Sequence, residues 1–143
     1  MLAKHILVID DTQELLDVFE DLLTEAGYRV SLQAPCPPDL TAVTRARPDL
    51  IISDYSDYVP AKATDCWQFL EELKRDRATV ALPLIICTTG STLARDHDDW
   101  LRAHAVQVVA KPFAVEAILA AVARAIGTAD ADRALPAGET NGA

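Results

Sequence analysis

The sequence predicts an α/β fold, a doubly wound five-stranded parallel sheet with helices on both faces. Three observations predict it. Apolar runs of strand length, rich in Ile, Val and Leu, recur at residues 6–9, 50–52, 84–87 and 106–110. They are continuous rather than alternating, as expected of strands covered on both faces. Segments with helical spacing lie between them, so the order is strand then helix, five times over, the pattern of a parallel sheet with right-handed crossovers.

The first strand, 6–9, leads into a helix over 13–26, where Leu15, Phe19, Leu22, Leu23 and Ala26 share one stripe. Glu14, Asp17, Glu20, Asp21 and Glu25 lie mostly opposite, and Gly27 stops the helix. The second strand, 28–32, alternates more and is the weakest of the five. A short helix over 38–46 ends before Pro48, which biases Arg47 away from helical geometry. After the third strand, 50–52, Trp67, Phe69, Leu70 and Leu73 mark a helix over 65–76. The fourth strand, 84–87, precedes a helix over 92–103 whose only large apolar residues are Leu93, Trp100 and Leu101, so that helix is expected to be loosely held. The fifth strand, 106–110, is interrupted only by Gln107. An Ala-rich helix over 113–126 follows, opened by Pro112. Residues 127–143 lack periodicity and read as a flexible tail, so the expected domain is 1–126.

The 143 residues suit one domain. Thirteen Lys and Arg against 22 Asp and Glu leave a net charge of -9, which repels phosphate backbones and argues against nucleic-acid binding. No apolar stretch approaches the roughly 20 residues of a membrane helix. The N-terminus does not read as a secretory signal, so the expected location is the cytoplasm, with no membrane partner. Cys36, Cys66 and Cys87 are odd in number and widely spaced without a CxxC pair. They read as reduced thiols rather than as zinc ligands. His97, among Asp96, Asp98 and Asp99, and His104 beyond it match no metal-ligand spacing and read as a solvated helix face. His5 reads as an edge residue. Trp100 reads either as a partner contact or as packing on a neighbouring strand.

In open α/β sheets, ligands bind outside the carboxyl ends of the strands. Here the first strand runs into Asp10 and Asp11, the third into Asp54, the fourth into Thr88 and Thr89, and the fifth into Lys111. Converging carboxylates repel one another unless a cation intervenes, and Mg2+ is a hard ion suited to one or two carboxylates plus water and phosphate oxygens. A carboxylate can also accept a phosphoryl group, with a lysine and a hydroxyl stabilising the transferring oxygens. The set therefore favours phosphoryl chemistry. No Gly-rich phosphate loop is present, so nucleoside triphosphate binding is not expected.

These residues resemble the receiver domain of two-component response regulators. The acid pair in HILVIDD, Asp54 closing RPDLIISD, Thr88 in LPLIICTT and Lys111 in VVAKPF stand in the family's order over about residues 4–126. The resemblance implies the flavodoxin-like (βα)5 fold and a role for each residue. Asp54 is the implied phosphoacceptor from the phosphohistidine of a sensor kinase. Asp10 and Asp11 are implied to hold Mg2+, with Asp54 and the Ser56 carbonyl completing the set. Thr88 is implied as the switch hydroxyl and Lys111 as the partner of the acids and phosphoryl oxygens. The bond before Pro112 is commonly cis in the family. Dimers through the last helices are common there too, and the first helix commonly meets the kinase.

The chain also departs from that pattern. The loop after Asp54, YSDYVPAKATDCW, carries Pro60 six residues on and looks about four residues longer than usual. Tyr55, Asp57 and Tyr58 are expected to shape access to Asp54, and Asp57 is a rival acceptor inside the loop. Thr89 is bulkier than the residue usual there and is expected to narrow the entrance. The position three before Lys111, where receivers carry an aromatic switch residue, is Val108. Output is therefore expected to run through the 92–103 helix.

The expectation is a single-domain response regulator, not an enzyme on a separate substrate but a phosphoacceptor that assists its own phosphorylation and dephosphorylation, signalling to a downstream protein. The alternatives are a phosphorelay intermediate and a receiver-like binding module that works without phosphorylation. An aspartate-nucleophile phosphatase is disfavoured, because Asp54 and Asp57 are spaced DxxD rather than DxD.

Overall fold

The computed structural model describes residues 3–34, 37–56, 59–90 and 92–134, the side chains of 130–134 excepted. Strands and helices alternate: β1 His5–Ile9, α1 Gln13–Glu25, β2 Arg29–Gln33, α2 Leu40–Ala46, β3 Leu50–Asp54, α3 Pro60–Arg75, β4 Leu84–Thr88, α4 Thr92–Ala103, β5 Gln107–Ala110 and α5 Val115–Ala134. The strands form one parallel sheet in the order β2-β1-β3-β4-β5. That order is flavodoxin-like, and it reverses between β1 and β3, which opens a crevice at their carboxyl ends.

Side chains of successive strand residues point to opposite faces, and β1 shows what this requires of its sequence. Ile6 and Val8 enter a core with Phe19 and Leu23 of α1 and with Ile118 and Val122 of α5. Leu7 and Ile9 enter the opposite core with Val43 of α2, Phe69 and Leu70 of α3 and Leu93 of α4. The continuous apolar run is thus the signature of a strand buried on both faces. β5 departs from it: this edge strand alternates, and Val108 faces outward at 38 % exposure.

Several boundaries differ from the sequence reading. α3 begins at Pro60, five residues before the expected start, with the proline in its first turn, where a missing N–H costs nothing. α5 runs to Ala134, so the first eight residues of the segment expected as a tail are helical. Gly127 meets no neighbour there and costs a helix only about 1 kcal/mol, which the surrounding alanines tolerate. Residues 135–143 lie outside the described set. α4 is kinked at His97 (φ −131°). It is anchored by buried Leu93 and Leu101 and by aromatic contacts: the His97 ring stacks on Trp67 of α3 with centroids 3.6 Å apart, and Trp100 meets Trp67 edge-on at 4.7 Å. His97 is therefore packed rather than on a solvated face, and Trp100 packs against Trp67 of α3 and the core that α3 and α4 share with the sheet. His5 is buried rather than at an edge. Its strand is interior, and its ring reaches Ser31 Oγ at 2.6 Å and the Arg47 carbonyl at 3.4 Å.

Among the described residues, no helix is long and apolar enough to cross a membrane.

Candidate functional site

Three strand ends deliver the charged groups to one crevice. Asp10 follows β1 and is 2 % exposed. Its backbone N–H donates to the Gln33 carbonyl at 3.2 Å, and its Oδ1 accepts the Thr12 N–H at 2.9 Å, an Asx turn that aims the carboxylate along the rim. Asp54 is the last residue of β3 and pairs in register with Cys87. Lys111 follows β5, its backbone N–H bonded to the Thr88 carbonyl at 2.9 Å, and the Lys111–Pro112 bond is cis. The Lys111 Nζ donates to Asp54 Oδ1 at 2.6 Å and to Asp10 Oδ2 at 3.1 Å. One ammonium thus joins two carboxylates, and all three side chains are at most 16 % exposed.

Thr88 ends β4, is buried, and accepts the Gly90 N–H on its Oγ1 at 3.2 Å. Thr89 beside it is exposed at the rim. Asp11 is exposed and turned outward, where its carboxylate forms an ion pair with Lys62 of α3. Ser56 is half-buried two residues after Asp54. The Tyr55 N–H donates to the Cys87 carbonyl at 3.0 Å, and its side chain is buried in the core shared with α3 and α4. Tyr55 therefore does not shape the mouth of the site as expected, because continued pairing with β4 turns its ring under the sheet edge. Asp57 and Tyr58 lie outside the described residues.

Burial pushes the Asp54 carboxyl above the ordinary carboxylate range, against the hydrogen bond and charge of Lys111. Burial alone would lower the Lys111 ammonium, but Asp54 and Asp10 more than offset it and hold the lysine above its ordinary value. Behind them, burial pushes the Cys87 thiol up to about 12. The site thus holds a half-buried carboxylate at the crevice, a fixed cation beside it and a buried hydroxyl on the adjoining strand.

The donors are oxygens only, the chemistry that suits Mg2+. Asp10 and Asp54 are drawn to Lys111 and Asp11 to Lys62, and among the described residues no three acidic, His or Cys side chains are gathered to hold a metal ion. Mg2+ needs only one or two carboxylates beside water and phosphate oxygens, so the residue types fit it. Lys62 was not singled out in the sequence. Its only signal there is its position, two residues after Pro60 in the segment expected as a loop, which the structure places in the first turn of α3.

Comparison with known proteins agrees with this geometry. The family model described as response regulator receiver domain matches residues 6–123, and the chain belongs to that family. Chemotaxis response regulator CheY4 of Vibrio cholerae is 23% identical, with a TM-score of 0.70 over 86% of this chain and 98% of that one. The receiver domain of a signal transduction histidine kinase from Syntrophus aciditrophicus is 24% identical, with a TM-score of 0.72 over 88% and 92%. The receiver domain of sensor histidine kinase PA1611 from Pseudomonas aeruginosa PAO1, described with a magnesium ion in its active-site cleft, is 26% identical, with a TM-score of 0.65 over 87% and 98%. Comparison with curated protein sequences gives no match.

Proposed function

We propose that this chain is a cytoplasmic response-regulator receiver that accepts a phosphoryl group on Asp54 from a histidine kinase and signals through protein contacts. The observation that carries this reading is the Lys111 ammonium bridging Asp54 and Asp10 at the switch point of the sheet. In the transfer, an Asp54 carboxylate oxygen forms a bond to phosphorus. The bond from phosphorus to the donor's imidazole nitrogen breaks, and that nitrogen keeps the electron pair. Lys111 neutralises charge beside the new bond, and the Thr88 hydroxyl, which accepts the Gly90 N–H and keeps its own O–H to donate, is the nearby donor for a phosphoryl oxygen. Asp10, Asp11 and the Ser56 carbonyl are the groups that would hold Mg2+, which supplies positive charge to the phosphoryl oxygens. The protein is then a self-modifying acceptor rather than an enzyme acting on another molecule.

With Val108 exposed and without a ring, the output surface in this reading is α4, which starts just beyond Thr88 and Thr89. The exposed acids of α1, with exposed Val18 and Val115 beside them, are the surface offered to the kinase. The net charge of -9 disfavours direct DNA binding.

The test is the intact mass of the protein after incubation with acetyl phosphate or phosphoramidate and Mg2+, beside Asp54→Asn. A gain of about 80 Da in the wild type, absent in the variant and in EDTA, is the expected result. A gain that survives Asp54→Asn moves the acceptor to another residue, Asp57 first. No gain from either small donors or a kinase leaves the phosphorylation-independent binding module.

A further inference from the structure

Lys62 sits where a helix least favours a cation. It is the third residue of α3, in a first turn without an acidic side chain, and the amino end of a helix carries partial positive charge. An ammonium there needs an anionic partner, and among the described residues it pairs with Asp11, a member of the acid pair proposed to bind the metal. Each side chain of this pair is about one-third exposed, so bulk water screens the contact only in part.

The whole rim is organised the same way. Lys111 neutralises Asp10 and Asp54, and Lys62 neutralises Asp11, so two lysines serve three carboxylates. Lys111 is fixed at the end of β5. Lys62, in contrast, is set by the start of α3, with Pro60 in its first turn and the Ala63 N–H returning to the Val59 carbonyl at 2.9 Å. A divalent ion on Asp11 and an ammonium on the same carboxylate repel each other, so they compete for it.

We propose that Lys62 is an internal counter-cation of the metal site, holding the Asp11 carboxylate until a divalent cation displaces it. The proposal rests on the reading of Asp10 and Asp11 as metal-binding acids and adds a regulator to it. Metal entry then has two effects: it completes the charge around Asp54, and it frees the first turn of α3. Occupancy of the acid pair is thereby coupled to the segment joining Asp54 to α3. The cost of displacing Lys62 appears as weaker metal binding.

The experiment measures Mg2+ affinity by titration calorimetry, and Mn2+ affinity by electron paramagnetic resonance, on the unphosphorylated full chain. The proteins are wild type, Lys62→Gln, Lys62→Arg and Lys4→Gln, each checked by circular dichroism. Lys4 lies at the opposite end of β1 and reports the effect of one lost charge at a distance. Lys62→Gln is expected to bind Mg2+ roughly three- to tenfold tighter, with Lys62→Arg and Lys4→Gln staying within about twofold of wild type. Equal or weaker binding by Lys62→Gln, with clear binding by wild type, overturns the role of Lys62 alone. The same gain in Lys4→Gln overturns it too, since the effect is then long-range charge. Absence of binding in wild type and Lys62→Gln alike overturns the metal reading, and this proposal with it.

Discussion

Lys111 Nζ lies 2.6 Å from Asp54 Oδ1 in an ion pair whose side chains are only 16% and 14% exposed. The same ammonium reaches buried Asp10, so it is the cation that lets two carboxylates share one crevice. Lys111→Met removes that cation and leaves the two carboxylates facing each other. Breaking a fully buried pair costs about 3–5 kcal/mol, and the partial exposure here reduces the expected loss to about 2–3 kcal/mol. Urea unfolding in EDTA is expected to show that loss, and millimolar Mg2+ is expected to restore part of it in the variant. A variant as stable as wild type in EDTA overturns this account of what Lys111 does in the resting fold.

Cys87 sits in β4 beside Asp54 in the ladder and is 1 % exposed. Burial pushes its thiol up to about 12, with the nearby Lys111 pulling the other way. Only the thiolate reacts with alkylating reagents. At pH 8 the folded protein should therefore alkylate Cys87 on the order of a thousandfold more slowly than it does in urea, as judged by peptide mass. Rapid modification of Cys87 without denaturant shows that β4 opens far more readily than its burial implies.

Lys74 gives a pH dependence of defined sign. Its Nζ donates to the Leu82 carbonyl at 2.8 Å and to the Val80 carbonyl at 3.3 Å, while burial holds it below the ordinary lysine value. Because the folded protein binds this proton less tightly than the unfolded chain, the charged lysine opposes folding at neutral pH. That opposition is relieved as pH rises through the folded value and levels off above the unfolded value near 10.4. Lys74→Met should flatten the rise of stability across that alkaline window, measured by urea unfolding at stepped pH. An unchanged slope means that Lys74 does not titrate abnormally.

The five strands and most of the rim were legible in the sequence, because a strand buried on both faces must be continuously apolar and a polar residue at its end must fall at the edge. Asp10, Asp54, Thr88 and Lys111 were found that way. The α3 start was not, because Pro60 reads equally as a loop residue and as the first turn of a helix. The extension of α5 past Gly127 was missed for a related reason: a helix end that buries little leaves no apolar period to detect. Lys62 and His97 were missed because their partners, Asp11 and Trp67, are distant in the chain. His97 sits among three aspartates, which locally argues for solvent, and only the approach of α3 to α4 covers it.

That approach is what holds α4 beyond its two buried leucines. The His97 ring lies flat on Trp67, with 13° between the planes. Trp67 meets Trp100 edge-on, and Trp100 leans on His104 with centroids 4.5 Å apart. α3 descends from the loop that follows Asp54, and α4 starts just beyond Thr88, so the cluster connects the two segments nearest the site. An aromatic pair is worth about 0.5–1.5 kcal/mol beyond the area it buries. Trp67→Ala is therefore expected to speed amide hydrogen exchange in residues 92–103 roughly three- to tenfold, with exchange in α1 unchanged. Unchanged protection in α4 shows that Leu93 and Leu101 alone hold it. A uniform increase across α1 and α4 shows that the substitution lowered global stability instead of releasing this one helix.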